Sequence, residues 1–109
     1  MTSISNIKKN VLSALEDIKA FDIVSIDIRK QASIADYIII ASANSSKQAK
    51  ALADNIKDRM QKINIPLIGI EGESGNEWVL VDLGDIIIHI MTPTSRAHFN
   101  LEELWVSDT

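Results

Sequence analysis

Apolar residues recur at helical spacing in two segments of the chain. In the first segment they lie three or four positions apart, at Ile4, Ile7, Val11, Leu15 and Ile18. This spacing predicts an amphipathic helix over residues 5–19, with Ser5 as the residue that caps its start. A second stripe runs from Ala49 to Ile63. Ser45 and Gln48 precede it with the spacing of a capping box, so we expect this helix to begin there.

Other apolar residues alternate with polar ones or form short continuous runs, which predicts β-strands. Residues 23–28 alternate, as is typical of a half-buried strand. Residues 35–42 contain the run Tyr37–Ile40 and predict a central strand covered on both faces. The run Leu67–Ile70 predicts a further strand, which the second helix joins to the central one. We expect this crossover to be right-handed and the strands to be parallel.

The last third of the chain predicts a polar loop, a hairpin and a short tail. Residues 71–76 are polar and contain two glycines, so they form the loop, and residues 77–91 form the hairpin. The tail, residues 93–109, predicts a short helix or turn packed by four apolar residues, Phe99, Leu101, Leu104 and Trp105. Together these elements predict a single α/β domain over residues 1–109, with a mixed sheet of about five strands and flanking helices.

Composition narrows the classes of function and compartment. The chain has 109 residues and a net charge of −4, which argues against binding to free nucleic acid and suits a basic protein partner. An ordinary solubility charge explains −4 equally well. Cysteine is absent, so disulfides and thiolate zinc sites are excluded. Residues 1–10 lack the apolar core of a secretory signal, and the apolar runs are too short for a membrane span. We expect a cytoplasmic protein without membrane contact.

The hairpin segment is the most informative part of the sequence. A two-residue loop of Leu83 and Gly84 is expected, because glycine accepts the positive φ that tight hairpins need. In that register Asp82 lies opposite Asp85, and Trp78 lies opposite His89. Alternation then places six side chains on one face, namely Trp78, Leu80, Asp82, Asp85, Ile87 and His89. The other face is wholly aliphatic and is predicted to be core.

The mixed face of the hairpin has two interpretations. An aromatic and aliphatic patch with a polar rim is typical of a protein interface. Alternatively, Trp78 packs under a helix while Asp82 and Asp85 solvate the end of the hairpin and bond to their own backbone. The facing carboxylates would repel one another in either case. The pattern alone favours neither interpretation.

The sequence offers little for catalysis or for metal binding. Asp85 and His89 are separated by on the order of 13 Å along a strand, too far for one ion. His89 is better explained as a hydrogen-bonded packing residue beside Trp78. The chain has no Gly-x-Ser-x-Gly motif, and its glycines, at positions 69, 72, 75 and 84, fit no phosphate-binding loop. No cofactor or metal is expected.

Three segments in order resemble the Iojap-related family of ribosomal silencing factors. The first is residues 35–42 with residues 45–48, the second is residues 78–89, and the third is Pro93, Arg96 and residues 100–105. The resemblance covers nearly the whole chain. Leu83 stands where the family often has an aromatic residue, and Ile90-Met91 replaces an end that often contains one. Both changes are conservative.

The resemblance implies a fold similar to the nucleotidyltransferase core without its catalytic apparatus, and therefore no enzyme activity. It implies binding to large-subunit ribosomal protein fourteen and a steric block to joining with the small subunit when nutrients are short. The partner contact would be the hairpin residues Trp78, Leu80, Asp82, Asp85 and His89. Arg96 and Trp105 would have structural roles. A homodimer is expected for the unbound protein. An active nucleotidyltransferase-like enzyme and a self-associating adaptor are the alternatives.

Overall fold

Four helices and five strands follow one another in the computed structural model, which describes residues 3–31, 33–72 and 77–105. The helices are α1 (Ile4–Asp17), α2 (Ser46–Lys62), α3 (Pro93–Phe99) and α4 (Leu101–Trp105). The strands are β1 (Phe21–Asp27), β2 (Tyr37–Ser42), β3 (Gly69–Glu71), β4 (Trp78–Asp82) and β5 (Ile86–Met91). The predicted hairpin therefore exists as β4 and β5, and the tail contains two short helices.

The strands form one mixed sheet in the order β1-β2-β5-β4-β3. β2 and β5 pair in parallel, and the other three neighbouring pairs are antiparallel. This confirms the predicted α/β fold with five strands. The sequence correctly predicted that β2 and β3 run in the same direction, but they are not neighbours, since β5 and β4 lie between them. β5 takes the inner position because it is long and aliphatic, whereas β3 has three residues and closes an edge.

Side chains at the helix ends fix where the two long helices begin. The Ser3 hydroxyl accepts a hydrogen bond from the Asn6 N–H, so Ser3 caps α1 and the prediction of Ser5 is wrong. Ser3 has the extended backbone that a capping residue needs. The helix begins at Ile4, so Ser5 already lies inside it. Ser45 caps α2 as predicted, accepting from the Gln48 N–H at 3.1 Å.

Gln48 departs from the capping-box geometry in a way that joins the two helices. Its side-chain oxygen accepts from the Asn44 N–H, one residue before the cap, instead of from the Ser45 N–H. Its side-chain nitrogen donates to the carbonyl oxygen of Ile18 at 2.9 Å. The start of α2 is therefore held against the end of α1.

The sheet is buried on both faces, but different elements cover the two faces. α1 and α2 pack on the helical face, which carries Ile39, Val81 and Ile88 in the larger apolar cluster. The opposite face, which we call the tail face, carries Ile38 and Ile40 in a smaller cluster, and Leu101 of α4 packs against that cluster. β2 contributes to both clusters, as predicted for a central strand covered on both sides.

Arg96 attaches the tail helices to the sheet. Its Nε donates to the Glu102 carboxylate at 2.8 Å, and its Nη1 donates to the Ser42 hydroxyl at 2.9 Å and to the Asp22 carbonyl. The Arg96 side chain is only 12% exposed, so most of it is shielded from water. This geometry supports a structural role for Arg96. The side chains of Leu104 and Trp105, and residues 106–109, lie outside the described part of the chain.

Gly72 and Gly69 provide a matched test of this architecture. Gly72 has a φ of +83°, and an added Cβ would overlap the backbone carbonyl of Trp78, whereas a Cβ on Gly69 would meet nothing within 4 Å. We expect Gly72→Ala to lower the free energy of unfolding by at least about 2 kcal/mol, because both the backbone and the contact are strained. Gly69→Ala should change it by less than about 1 kcal/mol. Urea unfolding measures both, and equal effects would contradict the model of this turn.

Candidate functional site

The loop of the β4–β5 hairpin lies one residue later than the sequence predicted. The Leu83 N–H donates to the Ile86 carbonyl at 3.0 Å, so Gly84 and Asp85 form the loop. Gly84 has a φ of +89°, which glycine adopts without strain. Leu83 precedes the loop because its side chain is 9% exposed and belongs to the core on the helical face.

The cross-strand pairs differ accordingly from the predicted ones. Trp78 lies opposite Met91, Leu80 lies opposite His89, and Asp82 lies opposite Ile87. The register is thus shifted by two residues from the predicted pairing. Because side chains alternate with a period of two, a shift of two leaves every strand residue on its predicted face. The mixed face is the tail face of the sheet.

Asp82 and Asp85 do not face one another, so the predicted repulsive pair is wrong. The Asp82 carboxylate accepts a hydrogen bond from the Gly84 N–H at 2.8 Å and stabilises the loop. Asp85 lies in the loop with its side chain exposed. Its backbone carbonyl accepts hydrogen bonds from the N–H groups of Asp36 and Tyr37, which attaches the loop to the start of β2.

Trp78 and His89 form a hydrogen-bonded pair on the tail face. The Trp78 indole N–H donates to His89 Nδ1 at 3.0 Å, which confirms the predicted packing role of His89. Burial lowers the pKa of His89 to about 4, so the imidazole is neutral near pH 7. Phe99 of α3 packs on Trp78 with its ring centroid 4.6 Å away. Trp78 is therefore half covered by the tail and half open.

The tail leaves one strip of this face uncovered. We call it the hairpin strip and define it by four half-buried side chains, Trp78, Leu80, Asp82 and Ile87. Beside it is a depression of about 380 Å³ lined by Glu71, Gly72, Trp78 and Leu80. Of the five predicted contact residues, three belong to the strip. His89 lies beneath it at 8% exposure, and Asp85 lies at the tip of the hairpin.

Three apolar side chains are strongly exposed, and the sequence did not assign them to the site. Phe99 is 50% exposed, Ile34 is 61% exposed and Ile68 is 70% exposed. Ile68 approaches the hairpin loop, since a Cβ on Gly84 would lie 3.0 Å from its Cδ1. Ile34 lies in the segment before Asp36, at the same end of the sheet. Phe99 adjoins the strip through its contact with Trp78.

The chemistry of this surface suits binding to a polypeptide. It combines an aromatic ring and aliphatic side chains with carboxylates at its edges, as interface cores and rims do. In residues 3–31, 33–72 and 77–105 no group of three or more histidine, aspartate or glutamate side chains is placed to hold a metal ion. In the same ranges, no helix has the length and apolar character needed to cross a membrane.

Comparisons with known proteins give a consistent result. The family model described as "Ribosomal silencing factor during starvation" matches residues 2–109. The chain is 39% identical over 102 residues to the ribosomal silencing factor RsfS of Chromobacterium violaceum, covering 94% of this chain and 84% of that protein. It is also 39% identical over 100 residues to RsfS of Bacillus subtilis, covering 92% and 85%. A crystal structure of a Chromobacterium violaceum protein superposes with a TM-score of 0.94 at 37% identity, covering 99% of this chain and 90% of that one.

The pKa of His89 predicts a specific loss of stability in acid. An unfolded histidine has a pKa near 6.5, so between pH 6.5 and about 4 the unfolded chain binds a proton that the folded chain excludes. The contribution of His89 to stability should be constant above this window and fall within it as the pH falls, by about 3 kcal/mol in full. Urea unfolding across this range measures the loss. The matched His89→Asn variant removes the group, and an unchanged pH dependence in that variant would contradict the assignment.

Proposed function

The chain belongs to the family of ribosomal silencing factors, and on that premise we propose that it binds the large ribosomal subunit through large-subunit ribosomal protein fourteen. The bound protein sterically blocks association with the small subunit and so represses translation when nutrients are limiting. It acts in the cytoplasm by occupying a surface, without catalysis and without a cofactor. In the unbound state it forms a homodimer, which light scattering of the free protein measures.

The hairpin strip is the observation that carries this proposal. It places Trp78 and Leu80 side by side, half open, on a sheet face that the tail covers only in part. Tryptophan is enriched among the residues that dominate binding energy at interfaces, where it fills pockets near the centre. Phe99 extends the same apolar surface on one side. A rigid strand pair presents these groups, so little ordering is required when a partner binds.

The charges around the strip favour a basic partner. Glu71 lines the depression beside Leu80, Asp82 lies at the far end of β4, and Asp85 is exposed at the loop. The whole chain carries a net charge of −4. Proteins that contact ribosomal RNA need basic groups to neutralise its phosphates. A ribosomal protein is therefore a suitable partner, because a basic surface attracts the carboxylates around the strip.

The geometry gives less support to the alternative functions. Two-metal catalysis would need carboxylates that converge on one point. Asp82 instead bonds to the loop backbone, and Asp85 extends beyond it. Assembly through the sheet edges is hindered at β1 by a register shift between Phe21 and Val24, and β3 has only three residues. Self-association, including that of the proposed homodimer, would have to use the apolar strip instead.

The proposal predicts a direct block of subunit joining. We expect the protein to sediment with isolated large subunits, and we expect later addition of small subunits to leave the two subunits unjoined in proportion to the occupied sites. Sucrose-gradient sedimentation with detection of the protein measures both effects. If the protein does not travel with large subunits, the binding proposal is wrong. If it travels with them and joining proceeds normally at saturation, the steric block is wrong.

A charge reversal at the loop tests where the contact lies. Asp85→Lys should weaken binding to large subunits by roughly threefold or more, and more strongly at low salt, because a basic partner would meet a repulsive charge. Asp58→Lys makes the same change on the exposed side of α2, which covers the opposite face of the sheet. It should bind as the wild type does. Equal losses in the two variants would show a response to net charge, and the hairpin would not be the contact.

A further inference from the structure

The hydrogen bond from Trp78 determines which nitrogen of His89 carries a proton. An indole N–H only donates, so His89 Nδ1, at 3.0 Å, has to accept with its lone pair. A neutral imidazole has one protonated nitrogen, and that nitrogen is therefore Nε2. Burial keeps the ring neutral at ordinary pH by lowering its pKa to about 4. His89 thus presents a fixed Nε2–H donor.

This donor is not used within the described part of the chain. His89 makes one side-chain hydrogen bond there, the one to Trp78 through Nδ1. The same residues contain no buried side-chain nitrogen or oxygen without a hydrogen-bond partner. His89 Nε2 is consequently in reach of solvent, although the residue as a whole is 8% exposed. An accepting atom for Nε2 would therefore come from a partner.

The neighbouring groups define what that atom is. His89 lies between Leu80 of β4 and Ile40 of β2, so the floor around it is apolar. Glu71 pairs with Leu80 on the other side, and Asp82 lies one pair further along β4. Both are carboxylates, which repel an incoming anion. The group that fits is an uncharged oxygen acceptor, such as the backbone carbonyl of a polypeptide.

We propose that His89 is a specificity-determining residue of the hairpin strip, whose Nε2–H donates a hydrogen bond to a carbonyl oxygen of the bound polypeptide. Trp78 is the positioning residue that holds the ring in the required tautomer. This inference rests on the proposed binding of the large subunit and adds the chemistry of one contact. An apolar partner surface without a matching acceptor would leave the donor unsatisfied on binding, and the strip would reject it.

Two variants at one position separate this role from a packing role. In His89→Asn, the side-chain oxygen takes the place of Nδ1 and can accept from Trp78, but the outer donor is lost. In His89→Gln, the side-chain amide reaches the place of Nε2 and can donate outwards, but Trp78 loses its acceptor. Affinity of the full chain for isolated large subunits is measured for the wild type and both variants. Thermal unfolding and tryptophan fluorescence are measured on the same samples.

A donor role and a packing role of His89 predict opposite affinities for the two variants. We expect His89→Asn to fold as the wild type does and to bind about tenfold more weakly, since a partner acceptor is left unpaired. His89→Gln should be less stable and keep affinity within about threefold of the wild type. Weak binding by the Gln variant with normal binding by the Asn variant would overturn the proposal. If the Asn variant does not fold, the Gln variant decides alone, because its loss of affinity while folded also overturns it.

A spectroscopic measurement on the unmodified protein tests the tautomer itself. Long-range ¹H–¹⁵N correlation of the imidazole near neutral pH should show a protonated Nε2 and an unprotonated Nδ1 for His89. A protonated Nδ1 would overturn the inference and leave the ribosomal proposal intact. Conversely, failure of the wild type to bind large subunits would remove the proposed function and the contact with it, even if the tautomer were as expected.

Discussion

The need to cover β2 and β5 on both faces governs the architecture. These two strands form the parallel pair at the centre of the sheet, and parallel strands are stable when both faces are shielded from water. α1 and α2 shield the helical face. The tail has to shield the other face, and Arg96 holds it there through Glu102 and Ser42. Because α3 and α4 are short, they cover β2 and one end of β5 and leave β4 partly open. The hairpin strip is what remains uncovered.

Periodicity predicted the faces of the hairpin better than it predicted the pairs. Alternation assigned Trp78, Leu80 and His89 to one face, and this is correct in any register that differs by an even number of residues. The predicted loop began one residue too early, because it placed Gly84 at the second position of the turn, where local propensity favours glycine. The core on the helical face takes up Leu83, so the loop begins at Gly84. A tertiary contact therefore overrode a local preference.

The pairing of strands that are distant in the sequence was the part of the fold that the sequence pattern did not predict. The run Tyr37–Ile40 predicted a central strand correctly, but the pattern did not predict that its parallel neighbour would be β5. Similarly, Ile34 and Ile68 lie outside the regular strands, where an apolar residue gives no information about its exposure. The contact between Trp78 and His89 was predicted because both were assigned to one face, although Trp78 lies opposite Met91 in the sheet. The tautomer it imposes required the geometry of the two rings.

The proposed binding surface and the fold share some residues of the strip, and this constrains how the site is mapped. Trp78 contacts Phe99 of the tail and donates to His89, so its removal would both loosen the cover of the sheet and leave the His89 Nδ1 acceptor without its donor. A loss of ribosome binding after such a change would not separate contact from unfolding. A substitution of Asp85 tests partner binding without disturbing the fold, because its side chain is exposed and only its backbone supports the fold. His89 lies between these cases: one nitrogen serves the fold and the other faces outwards. The two ring nitrogens of His89 thus connect the stability of the sheet to the chemistry of the surface that the sheet presents.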